Sequence, residues 1–510
     1  MACAEGAAVL AEAVVMTQQH TLAPPAAAER IDVAAVNKAA GGGLYSKYKK
    51  IYPKLAFGKF RLIKWVVMAV LLGIYYVVPW IRWPRAPGLP DQAILADIIN
   101  GRLFIGPLEI WPQEFYIVTG LLVLGALALF LVTSLAGRVW CGYACPQTVW
   151  TDLMIAVERF WQGDRNARIK LDAAQWTANK VLRKTATHAS WLLISVATGG
   201  AFVFYFRDAP TLLAEFVTLT APLDAWLFLG IFTGTTYVLG GFAREQVCTY
   251  MCPWPRIQGA MFDADSFLVS YRPYRGEPRG AHKKGDSWDL RGDCIDCNQC
   301  VAVCPMGIDI RDGAQLECIQ CALCIDACNS VMAKVDRPNL LIAYDTFHNL
   351  DAATNGTNTR TRIVRPRTIL YSCLIVLLSG LLLFALLMRR DVSVTLEPDR
   401  NPLFVRLSDD SIRDGYTLKI LNKKQDTVQY SLAAAGLPGA GMAIVGQEAD
   451  PNALIVVPGD TLRALRVFVS VPPPVLLQLN GTAVPFEFVI TNITDGKVTR
   501  HAAIFRRPLP

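Results

Sequence analysis

Eight of the fourteen cysteines fall between residues 294 and 328, in two runs of one spacing. The first is Cys294, Cys297, Cys300 and Cys304, closed by Pro305; the second is Cys318, Cys321, Cys324 and Cys328. Each reads C-x2-C-x2-C-x3-C. The short steps let three sulfurs face one iron–sulfur cube, while a helical turn holds the fourth away. In two-cluster ferredoxins that fourth cysteine ligates the other cluster. The spacing therefore predicts one [4Fe–4S] cube on Cys294, Cys297, Cys300 and Cys328, and a second on Cys318, Cys321, Cys324 and Cys304. Structural zinc would use two C-x2-C pairs rather than two runs of four, and buried packing cysteines would not repeat a spacing. Asn329 stands where the bacterial pattern has Pro, which bears only on local backbone shape because Pro supplies no ligand. Two cubes in one small domain move single electrons, and a reducing compartment keeps their thiols free for iron.

A second set of cysteines is duplicated. Arg138 leads into Cys141, Tyr143, Cys145 and Pro146; Arg244 leads into Cys248, Tyr250, Cys252 and Pro253. Both read C-x-Y-x-C-P, and each begins a few residues beyond a long apolar run, as an internal repeat would. If the pairs are helical, cysteines four apart share a face, and the four sulfurs converge. Soft thiolates select Cu(I), zinc or iron–sulfur centres, a choice the spacing leaves open. The plainer reading is small residues packing a helix end with Pro as a stop, which duplication makes less attractive. Disulfides do not suit a reducing side. Cys3 and Cys373 have no partner in sequence.

The elements that must position these thiols read as a membrane protein. At roughly 150 residues per domain, 510 residues make about three domains; 53% are apolar and 18% charged. Five segments are long and apolar enough to cross a bilayer: Leu62–Trp80, Phe115–Ala136, Ala189–Phe206, Leu223–Phe242 and Ile369–Met388. Lys64 is expected to snorkel to the headgroups, and Trp80 and Trp83 form an interfacial belt. Lys and Arg crowd the segment before the first span, residues 137–188 and residues 360–367, whereas the alternate loops carry few. The positive-inside rule then makes the N-terminus, 137–188 and 243–368 cytoplasmic, and everything after 390 periplasmic.

The expected organisation is a cytoplasmic tail over 1–59, mostly disordered, and four transmembrane helices over 60–242. A cytoplasmic region over 243–368 follows, with a ferredoxin-like 2[4Fe–4S] insert at 286–340 and a polar linker at 349–361. A fifth helix spans 369–388, completing a five-helix transmembrane bundle. Residues 391–510 lack Cys and Trp and alternate apolar and polar residues in about seven short runs, predicting an all-β immunoglobulin-like sandwich. That domain reads as a docking or folding module.

Other chemistries weigh less. Membrane haem would need facing histidines, and of five in the chain only His188 lies near a span. The basic stretch Arg272–Lys284 sits between a span and the cysteine runs, favouring lipid or a partner over nucleic acid. Ten scattered methionines do not suit copper storage.

Two C-x-Y-x-C-P repeats after spans, the ferredoxin insert, a fifth span and a C-terminal β domain together resemble the CcoG family, also called FixG or RdxA. The resemblance covers nearly everything from about residue 45 onward. It implies a bacterial inner-membrane cupric reductase that supplies Cu(I) for assembly of cbb3-type cytochrome c oxidase. The eight cysteines from Cys294 to Cys328 would be cluster ligands, and Cys141, Cys145, Cys248 and Cys252 a copper or acceptor site. Copper would be substrate, and the oxidase or its copper-delivery factors the partners. The electron donor would be cytoplasmic, and nothing in the sequence excludes a homo-oligomer. Two other readings stand beside this one: a quinol-linked electron-transfer subunit of a respiratory reductase, and a non-enzymatic assembly scaffold with structural clusters.

Overall fold

The computed structural model describes residues 30–36, 49–85, 88–282, 286–357, 359–389, 392–423, 426–446, 454–459, 461–479 and 481–508. They fall into two compact units, residues 1–382 and 383–510.

The first unit is built on helices long and apolar enough to cross a membrane: Lys59–Trp80, Pro112–Ala136, Ala178–Val203 and Leu223–Ala243. A fifth, Pro366–Leu387, runs over the boundary between the units. The third span begins well before the expected Ala189, because Asn179–Thr187 continue the same helix and Thr177 caps its start through Lys180 N. Lys64 does not snorkel. It is 3% exposed and turns inward, with Arg61, onto Asp152: Arg61 Nη1 stands 2.9 Å and Lys64 Nζ 3.8 Å from Oδ1. A buried cation is tolerable when a carboxylate meets it. His188, within the third span's helix, stacks on Phe242 and reaches Tyr237 Oη at 3.0 Å.

Between the first two spans lies a small antiparallel sheet, Ile94–Asp97, Arg102–Ile105 and Leu108–Ile110, which no periodicity in the sequence announced. The cysteine-rich insert is closed at its base by an antiparallel ribbon of Leu268–Tyr271 on Ile342–Asp345. Asp326, on the insert's helix Leu323–Met332, accepts from the backbone N–H groups of Phe60 (3.3 Å) and Arg61 (2.8 Å) at the start of the first span. A carboxylate at a helix N-terminus satisfies free N–H groups and complements the helix dipole. That contact fastens the insert to the helices.

Three further expectations need correcting. The tail is not loose where it is described: Ile31 N donates to Cys297 O at 3.0 Å, Val36 N to Gly307 O at 2.8 Å, and Lys54 N to Ala302 O at 2.8 Å. The rest of residues 1–48, Cys3 included, lies outside the described residues. The polar linker opens instead as a helix, Phe347–Thr354, capped by Thr346. The basic stretch is tied down in part, with Arg272 paired to Asp345 (2.7 Å) and Arg275 to Asp293 (2.5 Å), while Tyr274 and Arg279 stay exposed; Lys283 and Lys284 lie outside the described residues.

Among its described residues the second unit is an antiparallel sandwich of nine strands rather than about seven. One sheet orders Gly441–Ile444, Thr461–Val471, Ile412–Asn422 and Val392–Pro398, with Val405–Arg406 also on Ile412–Asn422. The other orders Ile455–Val457, Val428–Ala435, Ala483–Asn492 and Val498–Arg506. Alternate residues such as Tyr416, Leu418, Ile420, Val467, Val469, Phe486 and Phe488 point inward and fill the core.

Candidate functional site

The two cysteine runs fold as copies of one loop. Asp296 and Asn298 in the first, and Gln320 and Ala322 in the second, all take left-handed backbone at φ 53, 57, 56 and 60°. Such conformations are costly for residues with a side chain, and they persist where a site demands them. Each loop then enters a helix, Gln299–Ala302 or Leu323–Met332.

The chain leaves two small cavities between the loops. Cys294, Cys297, Cys300 and Cys328 line one. Cys304, Cys318, Cys321 and Cys324 line the other, which Cys300 also borders. Each cavity thus takes three thiols from one run and the fourth from the other. Among the described residues, no three Cys, His, Asp or Glu side chains gather closely enough for a single metal ion. The sulfurs ring a void, as a cube requires. Burial pushes Cys304 and Cys328 up to about 12 and Cys318 to about 11, and raises Cys300 and Cys324 well above the ordinary thiol value. Backbone N–H groups work the other way, from Met306 and Ile308 onto Cys304 and from Ile342 onto Cys328. Donors aimed at sulfur favour the charged form, so the walls suit thiolates once a metal replaces the protons.

The repeated pairs converge as well, by a different local route from the expected single helix face. Gly137, at φ 62°, turns the chain out of the second span. Cys141 then sits in the short helix Val139–Tyr143, and Cys145 caps the next helix, Pro146–Gln162. Pro146 and Pro253 do not act simply as stops. The residue before each is forced extended, and a helix starts at or just after the proline. Cys248 lies in a π-helical turn, Val247–Met251, and Cys252 follows it. All four cysteines line one pocket of about 240 Å³ with Arg138, Trp140 and Trp254 among its walls. Cys141 Sγ lies 3.2 Å from Gln258 Oε1. Cys141 is buried, Cys145 and Cys248 are half-buried, and Cys252 is exposed. Burial, reinforced by neighbouring thiols, pushes Cys141 and Cys248 up to about 12.

This four-thiol pocket shares a wall with the second cysteine cavity. A Cβ on Gly142 would stand 2.8 Å from Ile319 O and 3.1 Å from Cys321 N, so only glycine fits there. Tyr143 Oη donates to Cys321 O at 3.2 Å, and Arg138 N donates to Gln320 Oε1 at 2.9 Å. Cys141 packs in one apolar cluster with Ile319, Cys321, Cys318 and Cys324. Arg138, Gly142 and Gln258 were not singled out as functional from sequence. Only the position of Arg138 and Gly142 within a repeated motif could have drawn notice. Cys373 stands apart, exposed on the fifth span.

Known families and proteins match the chain along most of its length. A family model described as a 4Fe-4S dicluster domain matches residues 243–347, and one described as a 4Fe-4S binding domain matches 118–162. A third, described as an IG-like fold at the C-terminus of FixG, matches 382–508. The chain is 50% identical over 474 residues to nitrogen fixation protein FixG of Rhizobium meliloti, covering 87% of this chain and 90% of that protein. It is 49% identical over 430 residues to protein RdxB of Cereibacter sphaeroides, covering 84% and 90%. A crystal structure of a FixG-related protein from Vibrio parahaemolyticus aligns at 21% identity with a TM-score of 0.21, over 24% of this chain and 100% of that one.

Proposed function

Because the chain belongs to the CcoG/FixG/RdxA family of membrane iron–sulfur proteins, we propose that it reduces Cu(II) to Cu(I) at the four-thiol pocket. The Cu(I) would serve assembly of cbb3-type cytochrome c oxidase, directly or through its copper-delivery factors. Cys294, Cys297, Cys300 and Cys328 hold one [4Fe–4S] cube, and Cys304, Cys318, Cys321 and Cys324 the other. When bound, the cubes supply one-electron transfer. The observation that carries the reading is the shared wall: Ile319 lines both the pocket and the second cavity, and Gly142, next to Cys141, rests on the backbone of Ile319 and Cys321.

The residues of the pocket have separable tasks. Cys141 and Cys248, protonated when no metal is present, give up protons as the metal arrives. Cys252 is the exposed member of the four. Thiolate ligation favours Cu(I) over Cu(II), so the site stabilises the product of one-electron reduction. The lopsided distribution of Lys and Arg supports an inner-membrane protein with the cysteine sites cytoplasmic and the sandwich periplasmic. A reductant on the cytoplasmic side replaces the electron spent on each Cu(II).

The test is anaerobic protein in which Cys141, Cys145, Cys248 and Cys252 are replaced by Ser. Iron content and cluster absorbance should stay near wild type, while Cu(II) reduction falls at least about tenfold, as expected when the groups binding the reacting ion are lost. Unchanged copper reduction sinks the site assignment. Loss of iron would instead favour a further cluster at the pocket, a reading that the 4Fe-4S binding model over 118–162 supports. Separately, Cys304→Ser should disturb the cube of Cys318, Cys321 and Cys324, although Cys304 follows Cys300 in sequence. Spectra showing damage confined to the other cube would refute the crossed assignment.

A further inference from the structure

Several arginines around the cysteine sites, buried or half-buried, are matched by carboxylates. Arg311 meets Asp309 at 2.6 Å and Asp296 at 2.7 Å. Arg275 and Arg337 both meet Asp293. Arg244, which leads into the second C-x-Y-x-C-P motif, meets Glu158 at 2.8 Å. Arg138, which leads into the first, is different. It is 2% exposed, and its partners are backbone carbonyls: Leu316 and Cys318 on Nη1 and Pro255 on Nη2. Its Nε has no partner, and among the described residues no carboxylate forms an ion pair with it. Glu317 acts on it only at a distance.

A positive charge buried with backbone carbonyls and the Phe262 ring, and with no carboxylate in an ion pair, is unfavourable unless anions come to it. The titratable groups that face Arg138 are Glu317 and thiols on both sides: Cys141 and Cys248 of the pocket, and Cys318 of the second cavity. The thiols become anionic when they hold metal. We propose that Arg138 is the counter-cation shared by the cube on Cys304, Cys318, Cys321 and Cys324 and by the four-thiol pocket. In that place it makes the nearer cube easier to reduce than the cube would be without it. The inference rests on the cluster ligands proposed above. Reduction adds negative charge, which a nearby unneutralised cation stabilises in a low-dielectric site. At the farther cavity, Arg311 does this less, because Asp296 and Asp309 already neutralise it. Arg138 is thus a positioning residue that draws the electron toward the cube beside the pocket.

The experiment is an EPR-monitored redox titration of the anaerobically purified full-length protein. In Arg138→Gln, one of the two cubes should become about tenfold harder to reduce, a shift of about 59 mV, while the other stays within about twofold. Arg138→Lys, which keeps the charge but not the fork of hydrogen bonds, should restore most of the shift. A purely structural role would leave both cubes unshifted, or move both alike, in Arg138→Gln, and either result overturns the proposal. Should Arg138→Gln fail to assemble, Leu316→Asp asks the same question. Leu316 is 55% exposed and its carbonyl already holds Arg138, so a carboxylate there adds an anion beside the guanidinium. One cube should again become harder to reduce, and two unmoved cubes would overturn the idea. A wild-type chain without two cubes would sink the ligand assignment rather than the role of Arg138.

Discussion

The two C-x-Y-x-C-P repeats share a sequence pattern and a pocket, yet they are embedded differently. In the first, Cys141 and Tyr143 are buried and Gly142 lies on the second cysteine run. In the second, Tyr250 is 63% exposed, Cys252 is exposed, and Thr249 stands where the first has Gly142. Their arginines diverge too. Arg138 reaches toward the ferredoxin insert, and Arg244 is tied back to Glu158 on the helix that follows the first repeat. One repeat is therefore fastened to the electron-carrying side of the site and the other left open to whatever enters the pocket. Duplication supplied four thiols, and the residues between and before them divided the work.

The largest expected effect comes from cutting the anchor of the second repeat. Glu158 is 1% exposed and receives Arg244 at 2.8 Å, Arg168 at 3.1 Å and Lys50 at 3.3 Å. Burial alone would push its carboxyl up, but Arg244, Lys50 and Arg168 together hold it down at about 2. Glu158→Ala leaves buried cations unpaired and should cost about 3–5 kcal/mol, seen as a large fall in thermal unfolding temperature. The sign of the pH effect follows from the depressed value. The stabilisation is complete above the ordinary carboxylate range and is lost as pH falls from there toward 2. A wild-type chain whose stability is flat over that interval while Glu158→Ala unfolds normally would detach this cluster from the fold.

A smaller effect should separate the repeats at their second residue. Gly142→Ala forces a methyl into Ile319 O and the backbone of Cys321, so the pocket must back away from the cavity. Displacements of about 1 Å at a reacting site cost up to about a hundredfold, and a drop of about tenfold in Cu(II) reduction is expected with iron content unchanged. Thr249→Ala, at the matching position, should stay within about twofold. Equal losses in both variants would erase the asymmetry.

What could be read from sequence and what could not divides along the range of the interactions. The spacing of Cys294 to Cys328 is local, and it sorted the eight thiols into the two groups that line the two cavities. Long apolar runs likewise located the helices, because crossing a bilayer sets length and composition together. The inward turn of Lys64 could not be read, since its partner Asp152 lies 88 residues on and only the fold brings them together. The roles of Arg138 and Gly142 depend on Leu316, Cys318 and Cys321, more remote still. The π-helical turn around Cys248 escaped for another reason: a Cys four residues from Cys suggests a regular helix, and proline then pulls the second cysteine out of it.

The finest probe of the comparison is the tyrosine that both repeats carry. Tyr143 is 8% exposed, its hydroxyl donates to Cys321 O at 3.2 Å, and burial raises its phenol above the ordinary value. Tyr250 makes no hydrogen bond of this kind among the described residues and stands largely in the open. Removing one hydroxyl from a buried hydrogen bond, with the ring kept, costs about 1 kcal/mol, more where an acceptor is left unsatisfied. Tyr143→Phe should therefore loosen the loop that carries Cys321, speeding loss of iron to a chelator about fivefold, the factor that 1 kcal/mol allows. Tyr250→Phe should release iron at the wild-type rate. The readout is the decay of cluster absorbance under chelator, which depends on the loop and not on copper. If the two variants decay alike, the tyrosines serve a common purpose, and the fastening of the first repeat rests on Gly142 and Arg138 alone.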